Sequence, residues 1–314
     1  MKKLTLLLII AMVFSVGLVG CGQNQSLIIA TGGTSGTYYP LGGGIAQIIE
    51  NNTDMKAQAQ TTGASVENMR YIASEEVDLA FTQTDIADYA VKGVEMFDKP
   101  VANLRAIATL YPETIQIVLP GDSAIATVAD LKGKRVSVGA PGSGTELNAK
   151  QILEVYGLTF EDLDAQHLSF GDSSQSIQDG QLDAAFVTAG APTAAVSELS
   201  ATKGVKILSL EQDKIDQLIS QYPFYTLDVV PAGTYAGQDQ EVTTVAVKAM
   251  LVARDGLSEE QVYNITKALF ENLDKLVSIN AKAELIKLDT ALQGVSLEVH
   301  PGAAKYFEEQ GISK

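Results

Sequence analysis

The run from Lys134 to Leu153 constrains the fold of this chain more than any other stretch. Arg135 to Val138 is a short β-type run, Gly139 to Gly144 is a cluster of turn residues, and from Thr145 the apolar positions Leu147, Ile152 and Leu153 fall at helical spacing. Ser143 and Glu146 stand three apart at the switch, the spacing of a capping box. The order is strand, glycine-rich loop, helix N-terminus. Free backbone N–H groups and the positive end of a helix dipole then face whatever lies above the strand, which suits an anion or a carboxylate. An ordinary turn between strand and helix carries the same residues, so the stretch needs company before it means a site.

It has company. Ser26 to Thr31 is a second β-type run, followed by Gly32-Gly33-Thr34-Ser35-Gly36-Thr37-Tyr38-Tyr39-Pro40 and a helical pattern through Ile45, Ile48 and Ile49. Ser35-Gly36-Thr37 recurs as Ser143-Gly144-Thr145. Gly63-Ala64-Ser65 is echoed by Gly171-Asp172-Ser173, and Val77-Asp78-Leu79-Ala80-Phe81 by Leu182-Asp183-Ala184-Ala185-Phe186. Three local patterns recur in one order at nearly one offset. This predicts two similar α/β halves, each giving a glycine-rich loop to a shared cleft.

Between these landmarks the pattern alternates β-type and helical runs, as parallel sheets with crossovers require. Met55 to Thr62 reads as a strand, and Ser65 as the cap of a helix running to Ser74. Val77 to Phe81 reads as a buried strand. Ligands of open α/β sheets lie at the carboxyl ends of strands, so Gln83 and Thr84 are candidate contacts; capping of a helix at Ile86 explains them equally well. Leu104 to Leu119, kept extended by Pro112 and Pro120, is expected to cross from the first lobe to the second. The second lobe is expected over Val128 to about Leu210. It would hold a helix to Tyr156, a strand from Gln166 to Phe170, a helix starting at Gly171-Asp172-Ser173-Ser174, and a strand from Ala184 to Thr188. Val242 to Val252 is a candidate second crossing. Helices are predicted over Leu257 to Ile279 and Leu285 to Leu292, with a last one after His300-Pro301-Gly302 ending near Glu309.

The first residues form a leader. Lys2 and Lys3 precede an apolar run from Leu4 to Val19, and small residues lead to Cys21. This is the plan of a secretory signal peptide and is shorter than a membrane span. Leu18-Val19-Gly20-Cys21 resembles the lipobox of bacterial lipoproteins, which implies cleavage before Cys21 and lipidation of its sulfur, anchoring the protein to the outer face of the cytoplasmic membrane. Cys21 is the sole cysteine, so the chain forms no internal disulfide and no cysteine-based metal site. The formal charge is −16, and loss of the two leader lysines makes it more acidic. That balance excludes nucleic acid and an anionic bilayer face as partners. Any anionic ligand must be held by local dipoles against the global field.

The motifs 30–43 (Ala-Thr-Gly-Gly-Thr-Ser-Gly-Thr-Tyr-Tyr-Pro-Leu-Gly-Gly), 63–68 (Gly-Ala-Ser-Val-Glu-Asn), 138–146 (Val-Gly-Ala-Pro-Gly-Ser-Gly-Thr-Glu), 222–225 (Tyr-Pro-Phe-Tyr), 231–235 (Pro-Ala-Gly-Thr-Tyr), 269–273 (Leu-Phe-Glu-Asn-Leu) and 300–303 (His-Pro-Gly-Ala) resemble the TAXI solute-binding proteins of TRAP transporters. The resemblance spans nearly all of the chain after Cys21. It implies an α/β type II periplasmic-binding-protein fold, with two lobes joined by two crossing strands and a ligand cleft between them. Residues 1–20 would be the lipoprotein signal peptide and 21–26 a tether. Residues 27–115 with 250–314 would form a discontinuous first lobe, and 116–249 the second. The implied function is capture of a small organic acid, a glutamate-like amino acid or a dicarboxylate, and its delivery to an ion-driven membrane permease, with no cofactor.

The same resemblance places ligand contacts at Thr34, Ser35, Gly36, Thr37 and Tyr38, and at Ser65, Asn68, Gln83 and Thr84. From the second lobe it adds Ser143, Gly144, Thr145, Ala189 and Gly190, with Tyr225 near the hinge. Tyr39 and Pro40 are read as shaping the turn. No arginine lies in these loops, and Arg105 and Arg135 fall at strand starts, so recognition is expected through hydroxyls and backbone dipoles. Enzyme activity is not expected. The two histidines, His167 and His300, stand in no nucleophile or metal motif, and G-x-S-x-G, H-E-x-x-H, Walker A and C-x-x-C are absent. A lipoprotein that presents its bound solute to a membrane receptor is the alternative function.

Overall fold

The computed structural model describes residues 26–313, so the leader, Cys21 and the tether before Ser26 lie outside the described residues. The two predicted halves are present and have the same plan. The first runs β1 (Leu27–Ala30), α1 (Tyr38–Asn52), β2 (Ala57–Gln60), α2 (Ser65–Ala73), β3 (Leu79–Gln83) and α3 (Thr84–Lys92). Then comes the long strand β4 (Leu104–Pro120). The second half runs β5 (Arg135–Ser137), α4 (Gly144–Val155), β6 (Asp164–Gln166), α5 (Phe170–Gln178), β7 (Ala184–Ala189), α6 (Ala194–Lys203), β8 (Val205–Ile207), α7 (Gln212–Gln221) and β9 (Thr226–Val230). A second long strand, β10 (Val242–Arg254), leads back to α8 (Glu259–Phe270), α9 (Leu273–Ile279) and α10 (Pro301–Glu309).

In each half the first strand lies between the second and third, all parallel: β2-β1-β3 and β6-β5-β7. Both halves belong to one curled sheet of order β2-β1-β3-β10-β4-β7-β5-β6. The long strands join them. Ala249 to Ala253 of β10 pair antiparallel with β3, and Thr114 to Val118 of β4 pair antiparallel with β7. β4 and β10 pair with each other along their length, with Glu113 opposite Val247 near the midpoint. They are therefore the two crossing strands. One apolar core gathers Ile29, Ile45, Phe81, Ile107, Leu251 and Phe307; a second gathers Ile117, Val136, Ile152, Phe186, Leu218 and Val247. Burial of these faces supplies the main driving force, at about 25 cal/mol per Å² of apolar surface.

Several boundaries differ from the sequence expectation. The strand expected over Gln166–Phe170 ends at Gln166, because the Ser169 hydroxyl accepts from Asp172 N at 3.2 Å and starts α5 at Phe170. Ser65 is the first residue of α2 and not its cap: Ala64 holds the cap position at φ 80°, and the amides of Val66 and Glu67 donate to Gly142 O of the other half. In the predicted capping box, Ser143 Oγ accepts from Glu146 N at 3.1 Å, but the Glu146 carboxylate reaches Gly142 N (2.8 Å) in place of the cap's own amide. Residues 285–292 form no α-helix; two short 3₁₀ turns, Ala281–Leu285 and Leu288–Thr290, occupy the region.

The candidate ligand cleft

A cavity of about 350 Å³ lies between the two halves. Four helices begin in its lining. Thr37 and Tyr38 open α1, Ala64 and Ser65 lead into α2, Ser143 and Gly144 open α4, and Ser169 and Phe170 open α5. Two come from each half, because the repeated strand–loop–helix units face each other across the crossing strands. The first amides of α2 are taken by Gly142 O, and Glu146 N and Asp172 N by the capping serines. What the four termini share is the positive end of a helix dipole, about half a charge each. Their convergence favours an acidic group with no basic side chain present, and no Lys, Arg or His lines the cavity.

The structure brings most of the sequence candidates to this wall. Thr34, Ser35, Gly36, Thr37 and Tyr38 line it from the first loop, Ser65 and Gln83 from the rest of the first half, and Ser143, Gly144, Thr145 and Ala189 from the second. Four candidates lie elsewhere. Asn68 is buried, its Nδ2 donating to Thr31 O (2.7 Å) and Phe81 O (2.8 Å) and its Oδ1 accepting from Thr62 Oγ1; it ties β1 to β3 beneath the loop. Thr84 is buried at the start of α3, outside the lining. Gly190 is covered by the methylenes of Lys282. The Tyr225 hydroxyl donates to Gln151 Oε1 (2.6 Å) and accepts from Asn148 Nδ2 (2.9 Å), behind the cleft. Asn68, Thr84 and Tyr225 are buried and Gly190 is covered, so none of the four lines the cavity.

Glu113 is the lining residue that matters most among those the sequence did not single out. It stands on β4 at the crossing, 2% exposed, and its Oε2 accepts from Tyr38 OH at 2.7 Å. Burial pushes its carboxyl well above the usual carboxylate range; nearby Asp85 adds to the shift, and bonds from Tyr38 and Gln83 oppose it. Burial and Glu113 together push the Tyr38 hydroxyl up as well. The signal was available: Glu113 is the one acidic residue inside the apolar run Leu104–Leu119. Phe170 and Thr188 also line the wall, and the buried Thr188 hydroxyl has no hydrogen-bond partner.

Gln83 closes the wall from β3. Its Nε2 donates to Asn148 Oδ1 at 3.2 Å, across the cleft on α4. The Asn148 amide nitrogen donates in turn to Asp85 Oδ2 and to Tyr225 OH. That orientation leaves Gln83 Oε1 buried without a donor. Further bonds hold the halves together on this side, including Gln151 Nε2 to Tyr89 OH (3.3 Å) and Lys150 Nζ to Glu95 (3.4 Å). These bonds bridge the two halves beside the cavity.

Arg105 pairs with Asp255 and Glu298, and Arg135 with Asp183, both outside the lining. His167 Nδ1 lies 2.9 Å from Glu146, and His300 accepts from Gly302 N at the start of α10. Among the described residues no group of three or more His, Cys, Asp and Glu side chains is placed to hold a metal ion.

A family model described as the NMT1-like family matches residues 29–311. Among solved structures, the alkanesulfonate-binding protein SsuA from Xanthomonas axonopodis pv. citri, bound to MOPS, is similar at TM-score 0.51 and 14% identity, over 91% of this chain and 90% of that one. PhnD1 from Prochlorococcus marinus, in complex with methylphosphonate, is similar at TM-score 0.56 and 11% identity, over 92% and 97%. A putative L-cystine ABC transporter protein from Listeria monocytogenes is similar at TM-score 0.50 and 15% identity, over 84% and 98%. At these identities the likeness is one of fold: the type II periplasmic-binding-protein architecture of two α/β lobes around a cleft.

Proposed function

The chain belongs to the NMT1-like family, and from that premise we propose that it is the extracytoplasmic solute-binding subunit of a membrane transporter, capturing a small organic acid between its lobes. The observation that carries this reading is the inter-lobe cavity lined by the N-termini of four helices, with no Lys, Arg or His among its lining residues. Such a wall can bind an acid through amides and hydroxyls. Thr34, Ser35, Thr37, Ser65, Ser143 and Thr145 are the proposed contacts to the acid group, with Tyr38 and Phe170 beside the carbon frame. The motifs shared with TAXI proteins favour an ion-driven TRAP permease as the membrane partner. The fold alone serves carriers of sulfonate, phosphonate and cystine in the structural neighbours, and so leaves that choice to the motifs. Lipidation of Cys21 would hold the subunit at the outer face of the membrane.

Calorimetry on the chain from Gly22, against amino acids and mono- and dicarboxylates, tests the reading. Replacing Thr145 with Val should weaken binding of the recognised acid by about 1–2 kcal/mol, the worth of a hydroxyl hydrogen bond. Unchanged affinity removes Thr145 from the site. Uptake of the same acid into vesicles carrying the permease, driven by an ion gradient and not by ATP, tests the partner.

A further inference from the structure

The two glycine-rich loops line the cavity on one side and touch the opposite half on the other. Each folds into a four-residue turn: Gly36 N donates to Gly33 O at 3.2 Å, and Ser143 N to Ala140 O at 3.0 Å. Such a turn uses the carbonyl of its first residue and leaves that of its third needing a partner outside the turn. In both loops that third carbonyl crosses to the other half and meets the first turn of a helix. Gly142 O accepts from Val66 N (3.1 Å) and Glu67 N (3.0 Å), the second and third residues of α2. Ser35 O accepts from Ala195 N (3.3 Å), the second residue of α6. Amides at these positions have no partner within their own helix. The arrangement is reciprocal: a loop of each half caps a helix of the other.

Two glycines keep the approach clear. A Cβ on Gly63 would meet Pro141 O at 2.9 Å, and one on Gly171 would meet Ser35 Oγ at 3.0 Å. They are equivalent positions of the repeat Gly63-Ala64-Ser65 and Gly171-Asp172-Ser173. The Gly142 carbonyl is also aimed from behind. Gly142 takes φ 73°, and its N–H donates to Glu146 Oε2 at 2.8 Å; the other Glu146 oxygen lies 2.9 Å from His167 Nδ1. Both groups that hold Glu146 belong to the second half. We propose that the Ser35 and Gly142 carbonyls are the contacts by which the two halves lock together, and that Glu146 is the positioning residue for the one at Gly142. The loops that line the cavity thus also carry the grip between the halves, one on each flank. On this assignment α2 gives the amides of Val66 and Glu67 to the grip and not to a solute.

Amide hydrogen exchange, followed residue by residue by NMR without added solute, tests this. Separation of the halves breaks both contacts in one motion, so Val66, Glu67 and Ala195 should share one protection factor. It should lie below those of Asn68 and Ser197, whose amides bond within their own half to Ala64 O and Thr193 O. Glu146→Ala should lower protection about tenfold at all three amides, the worth of one ordinary hydrogen bond. Ala195 is included although its partner, Ser35 O, lies on the contact that Glu146 does not hold. Asn68 and Ser197 should keep their protection. Glu146→Gln, whose amide oxygen can still accept from Gly142 N, should restore the wild-type values. A loss confined to Val66 and Glu67 overturns the joint grip, and unchanged protection at all three overturns the positioning role. Should Glu146→Ala unfold, which Asn68 and Ser197 report, the wild type alone decides: protection at Ala195 unequal to that at Val66 and Glu67 overturns the proposal. The solute-binding function stands in each of these cases, because no solute enters the measurement.

Discussion

Asp85 sets a pH dependence that runs opposite to that of most surface carboxylates. It is buried at the start of α3, held by Asn148, with Asp88 and Glu113 near it. Burial pushes its pKa up to about 6, from 3.8 in the unfolded chain. The folded protein thus holds this proton more tightly than the unfolded one. Stability is reduced wherever Asp85 must ionise in place, above pH 6, and is regained as pH falls from 6 toward 3.8. Replacing Asp85 with Asn keeps an acceptor for Asn148. It should raise the unfolding free energy by about 1–3 kcal/mol at pH 7.5 and by little at pH 4, at 1.36 kcal/mol per pKa unit. Urea unfolding at the two pH values measures both. A larger gain at pH 4 than at pH 7.5 would contradict the assignment.

The repeated elements divide labour between structure and site. The recurring aspartates of Val77-Asp78-Leu79 and Leu182-Asp183-Ala184 clamp the third strand of each half to the first. Asp78 Oδ2 accepts from Ile28 N and Asp183 Oδ2 from Arg135 N, both at 2.9 Å, and each acid also pairs with an arginine, Arg254 or Arg135. The recurring Ser-Gly-Thr segments instead start helices at the cleft. Gly144 is where these helix starts approach the other lobe most closely: a Cβ there would collide with the Gln83 amide. Since that contact joins the two lobes, Gly144→Ala should oppose their approach by about 1–3 kcal/mol, the cost of overpacking. Its solute affinity should fall about tenfold or more, while ligand-free thermal stability changes much less. Calorimetry beside a ligand-free melt separates the two. Equal loss in both would mean that Gly144 matters to folding and not to closure.

At the scale of the whole molecule, a solute bound in the cavity would complete the interface between the lobes. The present cross-lobe bonds are few and polar, among them Val66 N and Glu67 N to Gly142 O and Gln83 to Asn148. They ring a cavity that contains a carboxyl above its usual range and unpartnered atoms on Gln83 and Thr188. A solute that satisfies these groups binds the closed form and stabilises the fold. At 100 times its dissociation constant it should add about 2.7 kcal/mol to unfolding free energy. Thermal melts read this directly, with tyrosine as the optical probe because the chain has no tryptophan.

Local sequence determined much of this. The pairing of a β-type run, a glycine-rich loop and a capped helix is set by neighbouring residues, and its recurrence announced two equivalent halves. The crossing strands were legible because Leu104–Leu119 and Val242–Val252 are too apolar to run over a surface. Only the tertiary structure decided which way the side chains in those loops face. Asn68 stands three residues after Ser65 and Tyr225 closes the 222–225 motif, yet both turn inward to satisfy buried backbone and amide groups. Glu113 reads as an anomaly inside an apolar strand, and it becomes a wall of the cleft only when β4 passes between the lobes. Spacing fixes how residues one turn apart meet. The meeting of Gln83, Glu113 and Asn148, drawn from three separate elements, depends on the closure of the whole sheet.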